Sequence, residues 1–198
     1  EILRSLEQNE FIAWFQPQFD AHSLEIVGIE ALARWDHPTK GILTPSSFLD
    51  IAESLKVVST IDDMILNQAL LQRYRLEANG IHVPTVSVNI SAQRLRDETL
   101  IDRLKTLSFK PGTLSFELLE STSFDGHDGE LIPQIEKIRE LGIDIEIDDF
   151  GTGYASIVTL LKLTPRRLKI DRQLIAPIVD SSDQQRLVSS IIDIGRAR

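Results

Sequence analysis

The amino-acid sequence predicts an α/β fold in which a parallel sheet is wrapped by helices. Two observations carry that reading: short β-rich runs alternate with amphipathic stretches along the 198 residues, and the connections between them are short. The strand candidates, in order, are Ala13 to Asp20, Ile26 to Trp35, Thr85 to Ile90, Leu114 to Leu119, Asp144 to Asp149 and Arg167 to Ile170. Between them lie helices with recognisable ends. Pro45-Ser46-Ser47-Phe48 opens one, Ser91 precedes another, and Gly142 closes Leu131 to Leu141. The stripe Ile61, Ile65, Leu66, Ala69 and Leu70 reads as core packing. Strand spacing alone fits either a doubly wound sheet or an eight-stranded barrel without its last two units. A third observation favours the barrel: polar residues stand at the carboxyl ends of four different strands, where barrel enzymes assemble their sites.

Bulk properties bound what the motifs can mean. A chain of this length with 42% hydrophobic residues buries one substantial core, so residues 1–198 are expected to form a single domain. No low-complexity linker, internal repeat or charge block marks a second one. The formal net charge of −9 is spread along the chain, which weighs against duplex nucleic acid or an anionic membrane as a partner. A small phosphodiester remains compatible, because bound metal can invert the local field of a pocket. The absence of cysteine excludes disulfides and thiolate metal sites and fits a reducing cytosol. No run approaches the roughly 20 apolar residues that span a bilayer, and the opening EILRSLEQNE does not read as a signal peptide. A cytoplasmic location is therefore expected.

The strand ends carry the chemistry. The second strand ends in Glu30-Ala31-Leu32-Ala33-Arg34-Trp35, the third in Val88-Asn89-Ile90-Ser91 and the fourth in Phe116-Glu117-Leu118-Leu119-Glu120. The fifth ends in Ile147-Asp148-Asp149-Phe150-Gly151-Thr152-Gly153, and the sixth in Leu168-Lys169-Ile170-Asp171. Side chains alternate along a strand, so Ser87 shares a face with Asn89 and Lys169 with Asp171, while Glu117 opposes Phe116 and Leu118. The polar set is expected to face the barrel axis, with Val88, Ile90, Ile145, Ile147, Leu168 and Ile170 packed against helices.

Glu30, Glu117, Asp148 and Asp149 in one pocket would repel strongly. Two like charges about 4 Å apart cost about 4 kcal/mol at an effective dielectric near 20. Protons or metal ions must neutralise them. With the Asn89 amide beside carboxylates, and neither thiol nor imidazole, the donor set favours Mg²⁺ or Mn²⁺ over zinc. At a strand end both Asp148 and Asp149 can reach metal, and two ions about 3.5–4 Å apart form a clamp for in-line attack on a phosphodiester. Lys169 supplies a positive charge suited to holding a nucleophilic water, and Arg34 a forked donor for a phosphate oxygen. Any one of these residues could instead be a helix cap or a solvated loop group, and Arg34 could simply balance carboxylates. Five candidate ligands at the expected strand ends together favour the pocket. Gly151 and Gly153 suit a turn that needs positive φ. The histidines His22, His37, His82 and His127 fall in predicted loops without ligand spacing and read as surface residues.

These residues also carry a resemblance. Gln16-Pro17-Gln18, Glu30-Ala31-Leu32 with Arg34-Trp35, Pro45 to Phe48, Asn89, Glu117 to Glu120, Asp148 to Gly153 and Lys169-Ile170-Asp171 resemble, in order, the signatures of the EAL-domain family. The likeness covers nearly the whole chain. It implies a TIM-type (β/α)₈ barrel with one antiparallel strand, near Phe15 to Asp20, and hydrolysis of cyclic di-GMP to linear pGpG. It makes Glu30, Asn89, Glu117, Asp148 and Asp149 metal ligands, Lys169 a water-positioning catalytic residue and Asp171 its supporting carboxylate. Gln16, Leu32 and Arg34 match substrate-contacting positions. The loop from Asp149 to Ser156, with Phe150, Gly151 and Gly153, would organise the metals and often sits at a homodimer interface in the family, steadied by Glu120. The alternative function is that of a family member that binds cyclic di-GMP or a protein partner without cleaving it. Sensory or signalling domains elsewhere in the protein are expected in either case.

Two departures from the family pattern shape the expectations. The chain reaches Arg198 in what reads as the sixth helix, so roughly the last two β/α units and a late glutamate and glutamine are not in it, and the 198 residues alone are not expected to be fully active. Glu146, two residues before Asp148, is predicted to face the barrel interior where the family usually has a small residue. A lone buried carboxylate is costly, so Arg167 on the neighbouring strand is expected to pair with it.

Overall fold

A long antiparallel hairpin opens the sheet. After the short helix α1 (Ile2–Glu7), β1 (Phe11–Phe19) pairs with β2 (Ile26–His37) in a register that sets Gln16 opposite Glu30 and Trp14 opposite Leu32. The computed structural model describes residues 1–120, 128–151, 160 and 162–196, without the side chains of 128–130. Next come β3 (Gly41–Leu43), a single 3₁₀ turn over Pro45–Ser47, α2 (Leu49–Ser54) and α3 (Val58–Ala78). They are followed by β4 (Val86–Asn89), α4 (Ala92–Leu95), α5 (Leu100–Thr106), β5 (Leu114–Leu119), α6 (Asp128–Glu140) and β6 (Ile143–Phe150). The described chain then continues with β7 (Arg167–Ile170), α7 (Arg172–Ile175) and α8 (Ser182–Arg196).

The sheet order is β1-β2-β4-β5-β6-β7, parallel from β2 onward, with β3 paired antiparallel on β2. This is the expected (β/α) barrel arrangement with an antiparallel first strand, and among the described residues the sheet stays open between β1 and β7. The apolar parity of each strand explains the layers. Val86, Val88, Leu114, Phe116, Leu118, Ile143, Ile145 and Ile147 pack in one core with Ile61, Ile65, Leu66 and Ala69 of α3 and Ile135 and Ile138 of α6. The opposite parity, including Ser87, Glu117 and Glu146, faces the interior. Gly142 ends α6 as expected: its φ of +80° suits glycine, and a Cβ there would run into Pro111.

Three expectations need correction. The first two strands run longer than predicted, because Phe11 is a buried anchor of an aromatic cluster with Trp35 and Phe48 and so extends β1 toward its N-terminus. The three-residue β3 has too short a pattern to read from sequence. His37 is not a surface loop residue; it is 2% exposed at the end of β2, tilted against the Trp35 ring at 4.8 Å. Its Nε2 lies 2.5 Å from Glu1 Oε1, and its Nδ1 accepts from the Lys40 N–H. His22 and His82 are exposed, whereas His127 lies outside the described residues. Among the described residues no helix is long and apolar enough to cross a membrane.

Candidate active site

Parallel pairing brings the strand ends together. Glu30 stands beside Ser87, Asn89 beside Glu117, and Glu117 beside Glu146, so residues distant in sequence share a level of the barrel interior. At that end Glu30, Glu117 and Asp148 each present a carboxylate oxygen, and the three oxygens lie within 4.8 Å of one another. Lys169 sits against all of them. Its Nζ is 3.0 Å from Glu30 Oε2, 2.8 Å from Glu117 Oε2 and 3.1 Å from Asp148 Oδ2.

The electrostatics follow from burial and crowding. Burial pushes the fully buried Glu117 carboxyl up to about 8; Lys169 pulls it down, while Glu30 and Asp148 push it further up. Burial disfavours the Lys169 ammonium, but Glu117, Glu30 and Asp148 outweigh that and hold it above the ordinary lysine range. One ammonium thus faces three carboxylates. Glu117 Oε1 is buried with no hydrogen-bond partner among the described residues. An all-oxygen set with surplus negative charge and an unpaired buried oxygen fits a hard divalent cation, since buried acceptors otherwise find donors.

The remaining predicted residues are arranged around this group. Asn89 is half-buried at the end of β4, level with Glu117. Asp149 is exposed with φ of +54° and stands outside the three-carboxylate group; burial, then Asp148 and Asp171, raise its carboxyl. Asp171 caps α7, its Oδ1 accepting from Gln173 N at 2.5 Å, and its carboxyl interacts with that of Asp149. Glu120 is buried and its Oε2 accepts from Gly151 N at 2.9 Å, while Phe150 is buried at the end of β6. Gly151 has φ of +103°, and a Cβ there would collide with Leu174. Gly153 lies outside the described residues, as does most of the predicted loop to Ser156.

On the hairpin, Gln16 is exposed opposite Glu30, and Leu32 is half-buried opposite Trp14. The Arg34 guanidinium lies 5.5 Å over the Trp14 ring, and its Nη1 donates to Ala33 O at 2.7 Å. The expected partner of Glu146 is in place: Arg167 Nη1 donates to Glu146 Oε1 at 3.0 Å and Ser87 Oγ to Glu146 Oε2 at 3.3 Å. Sequence reasoning missed Asp62 on α3, whose Oδ2 accepts from both Ser91 N at 3.0 Å and Ser91 Oγ at 2.6 Å. An aspartate early in a helix carries no signal of a partner 29 residues away.

Comparison with known proteins agrees with this geometry. A family model described as "EAL domain" matches residues 1–198. The chain is 35% identical to the bifunctional diguanylate cyclase/cyclic di-GMP phosphodiesterase MucR of Pseudomonas aeruginosa, over 99% of this chain and 29% of that protein. It is 33% identical to the cyclic di-GMP phosphodiesterase NbdA of the same organism, over 97% of this chain and 25% of that protein. The chain thus spans only between a quarter and a third of the length of these relatives. A solved structure described as the PaMucR phosphodiesterase in complex with c-di-GMP superposes with a TM-score of 0.89 at 34% identity, covering 99% of this chain and 81% of that one.

Proposed function

This chain belongs to the EAL domain family, and from that premise we propose that it is the barrel of a phosphodiesterase that hydrolyses cyclic di-GMP to linear pGpG with Mg²⁺ or Mn²⁺. The observation that carries the reading is the grouping of Glu30, Glu117 and Asp148 around the Lys169 ammonium, with one Glu117 oxygen unpartnered among the described residues. The substrate is supported by the names of MucR and NbdA and by the c-di-GMP complex of the PaMucR structure.

In this mechanism Glu30, Asn89, Glu117, Asp148 and Asp149 would hold the metal, and divalent cations bound there would supply Lewis-acid polarisation of the phosphodiester and an acidified water. Lys169, held among the carboxylates by its three contacts, orients the attacking water and offsets negative charge as the leaving oxygen departs. Gln16, Leu32 and Arg34 contact the dinucleotide from the hairpin, with the Trp14 ring under the Arg34 guanidinium restricting its rotation toward a phosphate. Glu120, through Gly151 N, fixes the start of the loop beyond β6 and so the approach of Asp149. Residues 1–198 act as one domain, and the greater length of the relatives supports attached sensory or signalling domains. A homodimer through the loop after Asp149 belongs to the same reading.

Incubation of the longest natural form with cyclic di-GMP and Mn²⁺ tests it. Linear product is expected, and Glu30→Ala should reduce its rate by about a thousandfold or more, the scale at which a lost transition-state contact shows in a metal-assisted hydrolysis. Undiminished hydrolysis in that variant would discredit the site, whereas binding without cleavage by the wild-type protein would replace the enzyme by a receptor.

A further inference from the structure

We propose that Asp62 is a positioning residue for Asn89, holding the turn after β4 so that Asn89 keeps its place beside Glu117 at the carboxylate group. The inference rests on the metal-site reading above. Asn89 is the last residue of β4, and its backbone has no strand to follow beyond it. What fixes the next two residues therefore decides where its side chain points. On one side Ile90 N donates to the backbone oxygen of Glu117 at 3.1 Å, tying the turn to the strand that carries another candidate ligand. On the other side the two donors of Ser91, its N–H and its Oγ–H, both converge on Asp62 Oδ2. Asp62 thus closes a clamp of which Glu117 forms the other jaw.

The clamp shares the Ser91 Oγ with the cap of the following helix, but not the ion pairs that dock it. Ser91 caps α4, its Oγ accepting from Arg94 N at 3.2 Å. Arg94 is buried and ties α4 to its surroundings through Asp63 Oδ1 at 2.9 Å and Asp97 Oδ2 at 2.5 Å. Removing the Asp62 carboxylate leaves those ion pairs intact. Since a single oxygen takes both Ser91 bonds, the acceptor and not the charge is what matters, and an amide oxygen can replace it.

Calorimetric titration of the 198-residue chain with Mn²⁺ tests the proposal, with the metal-free thermal transition recorded for each variant. Asp62→Ala is expected to weaken Mn²⁺ about tenfold, the scale of outer-shell partners at metal sites, while Asp62→Asn stays within about twofold of wild type. Asn89→Ala is expected to weaken it about tenfold, and Asp62→Ala combined with Asn89→Ala no further, because Asp62 acts through Asn89. If Asp62→Ala does not fold, Ser91→Ala, which removes the Asp62 bond together with the Oγ cap of α4, carries the test: a loss of about fivefold that does not add to that of Asn89→Ala is expected. Unchanged affinity in Asp62→Ala, or a loss that adds in full to that of Asn89→Ala, would overturn the positioning role. Absence of Mn²⁺ binding by wild type, or unchanged binding in Asn89→Ala, would instead overturn the metal-site reading and this inference with it.

Discussion

Two groups of buried charge share the interior of the sheet, and they are balanced differently. At one level Glu146, fully buried, meets Arg167 at 3.0 Å and Ser87 at 3.3 Å, so one carboxylate has one cation and a neutral donor. Beside it Glu30, Glu117 and Asp148 crowd around the Lys169 ammonium. Neighbouring parallel strands supply both groups, and Glu117 and Glu146 are register partners. The first is a closed structural pair. Among the described residues the second sets three carboxylates against one ammonium, and folding tolerates such an imbalance where an outside cation completes it. Local charge balance, more than the mere presence of acidic residues, separates scaffold from site.

Breaking the balanced pair should have the largest effect on stability. Arg167→Met leaves Glu146 buried without its cation and is expected to cost about 3 kcal/mol in urea denaturation. Mn²⁺ should not restore it, and the combined Arg167→Met and Glu146→Gln variant should recover most of the loss. A rescue by Mn²⁺ would mean that Glu146 belongs to the metal site after all.

The unbalanced group should respond in the opposite sense. The Glu117 carboxyl is raised to about 8 in the folded chain against about 4.3 when unfolded, so its contribution to stability is complete at low pH and is lost as pH rises through 8. In chelator, wild type is expected to lose about 2 kcal/mol from this group between pH 6 and pH 8. Asp62, raised to about 6 by burial, contributes in the same direction but largely below that window. Glu117→Gln should flatten the slope above pH 6, as urea midpoints at pH 6, 7 and 8 would record; an unaltered slope would place the titrating group elsewhere.

The parts of this molecule legible in sequence are those governed by period and register. The alternation of Ser87, Glu117 and Glu146 with apolar neighbours foretold which side chains face the interior, and the pairing of Glu146 with Arg167 followed from placing both on adjacent strands. The same logic could have found His37: it lies two residues after the buried Trp35, on the same face of a strand that continues past the predicted end. Other features had no local signal. Asp62 meets Ser91 only because α3 packs beside the end of β4, and β3 is a three-residue edge with no pattern to detect. The positive φ of Asp149 and the capping of α7 by Asp171 arise where strands end, and there alternation stops predicting direction.

Under the proposed function, the surplus charge of Glu30, Glu117 and Asp148 serves to hold a divalent cation. Titrating the wild-type chain with Mn²⁺ at pH 7.5 while following the free ion by electron paramagnetic resonance tests it directly. Saturable binding is predicted, weakened at least about tenfold when Glu30→Gln and Glu117→Gln are combined. Failure of the wild-type chain to take up the ion, or equal uptake by the double variant, would contradict it.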